Sequence, residues 1–356
     1  MDKGKKQKEW AIWLKIEMRV GTASIEGSGK GTGYVTTVLE DGRRVNTPVG
    51  IVRGKENGPV LYAQAAQHGM EINGVVAIEK MLQLLKPDLL RGTFIGVPVA
   101  NPLALVQRRP HYGLGPEEPY GNRPRLNMNR IWPGSPNGSE VERLAHNLWE
   151  QAVQKADYVI DLHSYERWSA SCTIVSSKKK SLELAKAFGL RFISVSTNKK
   201  ELELLEEPWK MVSEAVEDIG ASALVAELAG QWDIYPKSVK EGTRGMINVM
   251  KKLNMLDGEP ISPPSYVYLG KDPCTRVSMD RDGLFLASVE PGDEVEKDQQ
   301  IAKIIDMLNL CEVDLRSPVR GIVYHLGPSG PNRDVQLPRM HPFLDKGSEV
   351  AVIYES

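Results

Sequence analysis

Cysteine is scarce in this sequence. Cys172, Cys274 and Cys311 are the three among 356 residues, odd in number, far apart and without a CxxC pair. That excludes a disulfide framework and a thiolate zinc site, and fits a reducing compartment. Long apolar runs are also missing, since none approaches the ~18 residues of a membrane span. The opening stretch, MDKGKKQKEW, lacks the apolar core of a secretory signal, so the expected location is the cytoplasm. Neither charge sign is in excess: 45 Lys+Arg against 46 Asp+Glu leave a formal net charge of −1. Such a balance argues against a protein whose task is to neutralise nucleic-acid phosphates or an anionic membrane, and neither partner is expected.

Apolar residues, by contrast, are ample at 41%, enough to bury a core in a chain of about two domains. Residues 1–50 read as a polar, lysine-rich tail followed by a β-hairpin extension. Within it, GSGKGTG (Gly27 to Gly33) matches neither GxGxxG nor GxxxxGK[ST] and is expected to be a flexible hairpin turn. Residues 51–260 alternate apolar runs with helical patterns. PVLYAQAAQ, TFIGVPVAN, YVIDLHS, CTIVSS, FISVS and ALVAEL read as buried strands of an α/β domain with a mostly parallel sheet. The helical stretch after Ser139 puts Val141, Leu144, Ala145, Leu148 and Ala152 on one face, and a later one does the same with Trp209, Val212 and Val216. After the proline-rich GEPISPPS, residues 261–356 lose helical periodicity and read as an all-β, barrel-sandwich-like domain. Such domains can carry a modified lysine at a hairpin tip, but VEKDQQIAKI places none there, so a structural or gating role is expected.

The chemistry-bearing residues cluster at predicted strand ends. In AAQHGMEING, His68 and Glu71 stand three apart directly after a strand, where open α/β sheets bind ligands. Zinc accepts an imidazole and a carboxylate, and catalytic zinc takes three protein ligands. His163, at the end of YVIDLHS, is the third candidate and completes a His₂Glu set. Asp161 in the same strand either orients a ligand imidazole or is a buried structural carboxylate. Glu227 interrupts the apolar ALVAELAG; it is either a general base with an adjusted pKa or a paired core glutamate, and a metal-activated water favours the first. In NMNRIWPG, Asn129 and Arg130 suit recognition of a substrate carboxylate. Upstream, Arg108, Arg109, Arg123 and Arg125 are further cations, one of which could polarise a scissile carbonyl.

Taken together, H-x-x-E at His68 and Glu71, an N-x-N-R loop ending at Arg130, the strand-end His163, the strand Glu227 and the C-terminal β segment resemble the succinylglutamate desuccinylase and aspartoacylase family of zinc carboxypeptidase-like hydrolases. The family loop is usually D-x-N-R, and here Asn127 replaces the acid. The resemblance implies one zinc per chain held by His68, Glu71 and His163, with Glu227 as general base. It further implies Asn129 and Arg130 on a substrate carboxylate, with Arg123 and Arg125 as additional substrate-binding candidates. The implied activity is hydrolysis of the amide of a small N-acyl amino acid or related N-acyl amine, by a homodimer. Two rivals stand beside it: a zinc carboxypeptidase trimming short peptides, and a non-catalytic binding protein on a degenerate hydrolase scaffold. Retention of all four residues, His68, Glu71, His163 and Glu227, argues against degeneracy.

Overall fold

The computed structural model describes residues 17–115, 126–196, 210–328 and 341–355. The N-terminal part opens with a short antiparallel pair, β1 (Met18–Val20) and β2 (Ala23–Ile25). Next come β3 (Gly29–Val38), β4 (Arg44–Arg53), β5 (Glu56–Ala65), helix α1 (Asn73–Leu84), β6 (Arg91–Val97), α2 (Pro102–Gln107) and α3 (Glu140–Gln151). The chain continues through β7 (Tyr158–Tyr165), β8 (Cys172–Ser176), α4 (Lys179–Phe188), β9 (Phe192–Ser196), α5 (Val212–Asp218), β10 (Ser222–Ala229), α6 (Pro236–Lys252) and β11 (Val267–Tyr268).

Nine of these strands form one sheet in the order β11-β9-β8-β10-β7-β5-β6-β4-β3. Five of its eight strand pairings are parallel, as expected of a mostly parallel sheet, and three antiparallel pairings make it mixed. Its centre, β10-β7-β5-β6, is parallel, whereas β3-β4, β4-β6 and β10-β8 pair antiparallel. The antiparallel β3-β4 pairing is local in origin: the two strands are joined by a tight turn in which Leu39 N–H donates to Arg43 O (2.8 Å), and a tight turn can only join antiparallel neighbours. β4 runs through residue 50 and thereby carries this hairpin into the main sheet. Of the GSGKGTG segment only Gly27 and Ser28 lie in the bend between β2 and β3, and Gly29 to Gly33 lie inside β3. Its glycines answer to space: a Cβ on Gly31 or Gly33 would press on the backbone of Ser24 or Thr22 in the small β1-β2 layer.

Helices cover both faces. Side chains alternate along a strand, so Tyr62, Val159 and Ala223 share one core with α3 and α5, while Leu61, Ile160 and Leu224 share the other with α1, α4 and α6. The helical face expected after Ser139 is buried as α3, whose first turn is closed by a capping box between Ser139 and Glu142. Val212 and Val216 are buried on α5, and Trp209 lies outside the described residues.

The rest of the chain is all β: β12 (Cys274–Ser278), β13 (Gly283–Ala287), β14 (Glu294–Val295), β15 (Gln300–Asp306), β16 (Cys311–Arg316), β17 (Gly321–Leu326), β18 (Phe343–Leu344) and β19 (Glu349–Glu355). They form two four-stranded sheets, β12-β19-β17-β14 and β16-β15-β13-β18. Phe285, Ile301 and Ile304 face Val323, Val350 and Ile353 in a shared apolar core, as a sandwich requires. In VEKDQQIAKI, Lys297 is exposed in the turn between β14 and β15, which belong to different sheets, while the β15-β16 hairpin exposes Met307, Leu308 and Leu310. A second apolar seam, including Cys172 and Phe192 with Ile322, Val352 and Tyr354, joins this module to the β8-β9 side of the main sheet. Beside the seam, a cleft of about 770 Å³ is lined by residues including Trp168, Arg191, Lys237, Arg244 and Phe285.

Candidate metal centre

The central sheet builds the site by its topology. From β5 the chain crosses through α1 to β6 on one side, and it later returns through α3 to β7 on the other. The carboxyl ends of β5 and β7 therefore flank the point where strand order reverses, the usual ligand crevice of an open α/β sheet. Their registers align the polar residues: Gln64 pairs with Asp161 across β5-β7, and His163 pairs with Glu227 across β7-β10. Asp161 and His163 follow Val159 by two and four positions, and Glu227 follows Ala223 by four. All three thus project from the sheet face that carries α3 and the N-x-N-R loop.

The loop after β5 is pinned on both sides. Ala66 adopts a left-handed φ of 52°, which costs an alanine about 1–2 kcal/mol and marks an enforced turn. A Cβ on Gly69 would overlap the Ala104 carbonyl, so only glycine lets the chain pass there between His68 and Glu71. Gly69 donates its N–H to Arg109 O (3.0 Å), and Trp232 donates to Met70 O (2.9 Å). Asn73, fully buried, ties the start of α1 to the loop after β10 by donating to Ala229 O (3.3 Å) and accepting from Tyr235 N (2.8 Å).

The result is a buried cluster. His68 Nδ1 lies 2.8 Å from Glu71 Oε1, and His163 Nδ1 lies 2.8 Å from Glu71 Oε2. One ligand atom from each of the three residues falls within 4.8 Å of the others, all on buried side chains. Ser164 N–H also donates to Glu71 Oε2 (3.2 Å). Burial pushes the Glu71 carboxyl up, but attraction to the two facing imidazoles outweighs it and holds the group at about 2. Burial likewise disfavours a charged His163, yet Asp161 and Glu71 raise its pKa well above the ordinary value. Two rings aiming Nδ1 at one carboxylate need either a proton on each Nδ1 or one cation between them. Two imidazole nitrogens and a carboxylate are a donor set that zinc accepts, so the residues fit a metal.

Behind the rings stand further polar groups. His163 Nε2 meets Asp161 Oδ2 (2.9 Å), and His68 Nε2 meets Asn127 Oδ1 (2.9 Å). Asp161 is fully buried and also accepts from Gln67 Nε2 (2.7 Å) and Gln64 Nε2 (3.2 Å). Of the two alternatives for Asp161, its contact is the one an orienting carboxylate would make. Glu227 is buried beside His163. Burial pushes its carboxyl up, with Glu71 and Asp161 adding to the rise against the pull of His163 and Arg130, to about 8.

Asn129 and Arg130 sit in a single 3₁₀ turn, Met128–Arg130, and Arg130 Nη1 donates to Asn129 O (2.8 Å). Asn129 is buried, and Arg130 is near enough to Glu227 to lower its pKa. Arg123 and Arg125 lie outside the described residues. Arg108 caps α2 with a left-handed φ of 54°. Gln67 was not singled out from the sequence. It holds Asp161, accepts from Trp132 Nε1 (2.8 Å) and reaches Asn129 Oδ1 (3.4 Å), joining the strand end to the N-x-N-R loop. A glutamine directly before the strand-end histidine is its signal in the sequence. Trp132 is buried and so belongs to the core, whereas Trp168 lines the cleft and Trp232 is 37% exposed.

A buried His-Glu-His group at the switch point of an α/β sheet, with a carboxylate beside it, defines the class of metallohydrolase-like α/β proteins. Residues 57–253 match the succinylglutamate desuccinylase/aspartoacylase catalytic domain, and the chain belongs to that family. It is similar to N-alpha-acetyl-L-2,4-diaminobutyric acid deacetylase of Halomonas elongata, with 28% identity over 351 residues and 94% of each chain covered. A succinylglutamate desuccinylase/aspartoacylase from Rhodobacter sphaeroides shares the fold at a TM-score of 0.62, 24% identity, and 92% and 96% coverage of this chain and that one. The product-bound ectoine utilization protein EutE (DoeB) from Ruegeria pomeroyi shares it at 0.64 and 21% identity, with 96% and 98% coverage. No helix among the described residues is long and apolar enough to cross a membrane.

Proposed function

We propose that this chain is a zinc-dependent amidohydrolase that deacylates a small, carboxylate-bearing N-acyl amino acid. The observation that carries the reading is the convergence of His68 Nδ1, His163 Nδ1 and the Glu71 carboxylate in one buried group. Similarity to a deacetylase of an N-acetylated diamino acid supports the amide and the substrate size. His68, Glu71 and His163 would hold one zinc ion. When bound, zinc supplies Lewis acidity, bringing the pKa of water towards neutrality and polarising a carbonyl.

The remaining roles belong to the chain's own side chains. Glu227, buried beside His163, takes the proton of the attacking water and returns it to the leaving amine. Arg130, its guanidinium held by Asn129 O, binds the substrate carboxylate with the Asn129 side chain beside it. Asp161 and Asn127 orient the two imidazoles from behind. Residues 261–356, taken as a separate domain, restrict the substrate to small molecules.

A panel of N-acetyl and N-succinyl amino acids, with short peptides alongside, tests the reading on zinc-loaded protein by release of free amine. Turnover of the acyl amino acids and its loss on chelation, with recovery on zinc return, are expected. Turnover undiminished after complete metal removal, or confined to peptides, would overturn it.

A further inference from the structure

The two imidazoles of the cluster rest on unlike groups. His163 Nε2 meets a carboxylate, Asp161 Oδ2, at 2.9 Å, and His68 Nε2 meets a neutral carboxamide, Asn127 Oδ1, at the same 2.9 Å. The way the Asn127 amide faces is fixed independently of histidine. Its Oδ1 also accepts the backbone N–H of Asn129 at 2.9 Å, and an N–H can be accepted only by the oxygen end of the amide. The atom facing His68 is therefore an acceptor, so Nε2 must be the nitrogen that carries a proton. Nδ1, 2.8 Å from Glu71, is left as the metal-facing nitrogen.

The same reasoning applied to Asp161 gives His163 the same arrangement, but with a charged acceptor. Charge-assisted hydrogen bonds are roughly twice as strong as neutral ones. A carboxylate behind a ligand imidazole also raises the ring's basicity, hence its hold on a metal. Resting on the zinc reading above, we propose that Asn127 is a positioning residue that fixes His68 as the Nε2–H tautomer. Being uncharged, it makes the centre bind its metal less tightly than it would with a carboxylate at position 127.

The carboxamide has a second task, because the Asn129 N–H that it accepts belongs to the turn carrying Arg130. Deleting the side chain disturbs ring and turn together, whereas Asn127→Asp keeps both acceptor contacts and changes only the charge. That pair of variants separates positioning from mere packing.

Zinc affinity is measured by competition with a chromophoric chelator for the wild type, Asn127→Asp and Asn127→Ala. Nitrogen-15 NMR of labelled histidine in the zinc-loaded proteins reports which ring nitrogen carries the proton. Asn127→Asp should tighten zinc by about tenfold, and Asn127→Ala should weaken it by about 10- to 100-fold, the range for losing such a partner. The wild type should show Nε2–H on His68 with zinc on Nδ1. An Asn127→Asp affinity within twofold of the wild type, or weaker, overturns the proposal, as does zinc on His68 Nε2. If Asn127→Ala fails to fold, Asn127→Asp and the tautomer decide alone. A wild type that takes up no zinc defeats the underlying reading as well; one that binds a full equivalent yet ignores the Asn127→Asp charge defeats this inference only.

Discussion

The carboxyl end of the central sheet and the C-terminal β sandwich are both tightly buried, yet they treat polar atoms in opposite ways. At the sheet end, Gln64, Gln67, His68, Glu71, Asp161, His163 and Glu227 are all buried and touch one another or shared neighbours. In the sandwich the core is Phe285, Ile301, Ile304, Val323, Val350 and Ile353, and the buried imidazole His325 stands at the seam, facing Ser169 Oγ at 3.0 Å. Burying polar groups without full pairing costs about 1–3 kcal/mol for each group. Six of the seven groups at the sheet end meet that cost by pairing with one another, whereas the sandwich core avoids it with apolar side chains.

The sharpest way to break this contrast is at Glu227. Glu227→Gln keeps shape and burial and removes the proton acceptor, so kcat/KM should fall by about 10²- to 10⁴-fold with zinc content unchanged. Steady-state kinetics with metal analysis read both, and a fall of less than tenfold would remove Glu227 from the reaction. In the sandwich, Ile301→Ala opens a cavity in a fully buried position and should cost about 2–5 kcal/mol of stability. Denaturant unfolding measures that cost. Zinc affinity should not move, and a parallel loss of zinc would show that the two regions are not independent.

The smallest effect concerns the seam. Burial pushes the His325 imidazole below its ordinary value, against the Gly327 carbonyl and the nearby Glu166 and Glu349, which favour its charge. The folded protein thus binds this proton less readily than the unfolded chain. Stability from His325 is complete above the ordinary histidine value of about 6.5 and declines as pH falls through it, by at most about 1.4 kcal/mol per pH unit. His325→Asn should flatten that slope in unfolding curves recorded between about pH 5 and 7.

The metal group was legible in the sequence because each member follows an apolar strand, and strand ends in an α/β sheet converge. Glu227 was legible for the complementary reason that it interrupts one. The mixed sheet was not, since alternation along β3 and β4 does not reveal which edge the hairpin joins. Nor were the contacts of Asn127 and Gln67. Asn127 meets His68 across 59 residues, and Gln67 meets Trp132 across 65, distances at which only the folded path of the loop decides who touches whom.

Those two carboxamides also make the N-x-N-R turn and the metal centre parts of one thermodynamic cycle. Asn127 touches His68 and the Asn129 N–H, while Gln67 touches Asp161 and Trp132. On the proposed reading, a ligand that shifts the turn on binding Arg130 would change metal affinity, and by reciprocity the metal would change that ligand's affinity by the same factor. Zinc occupancy of the His68-Glu71-His163 group would then, on the same reading, follow substrate level as well as free zinc.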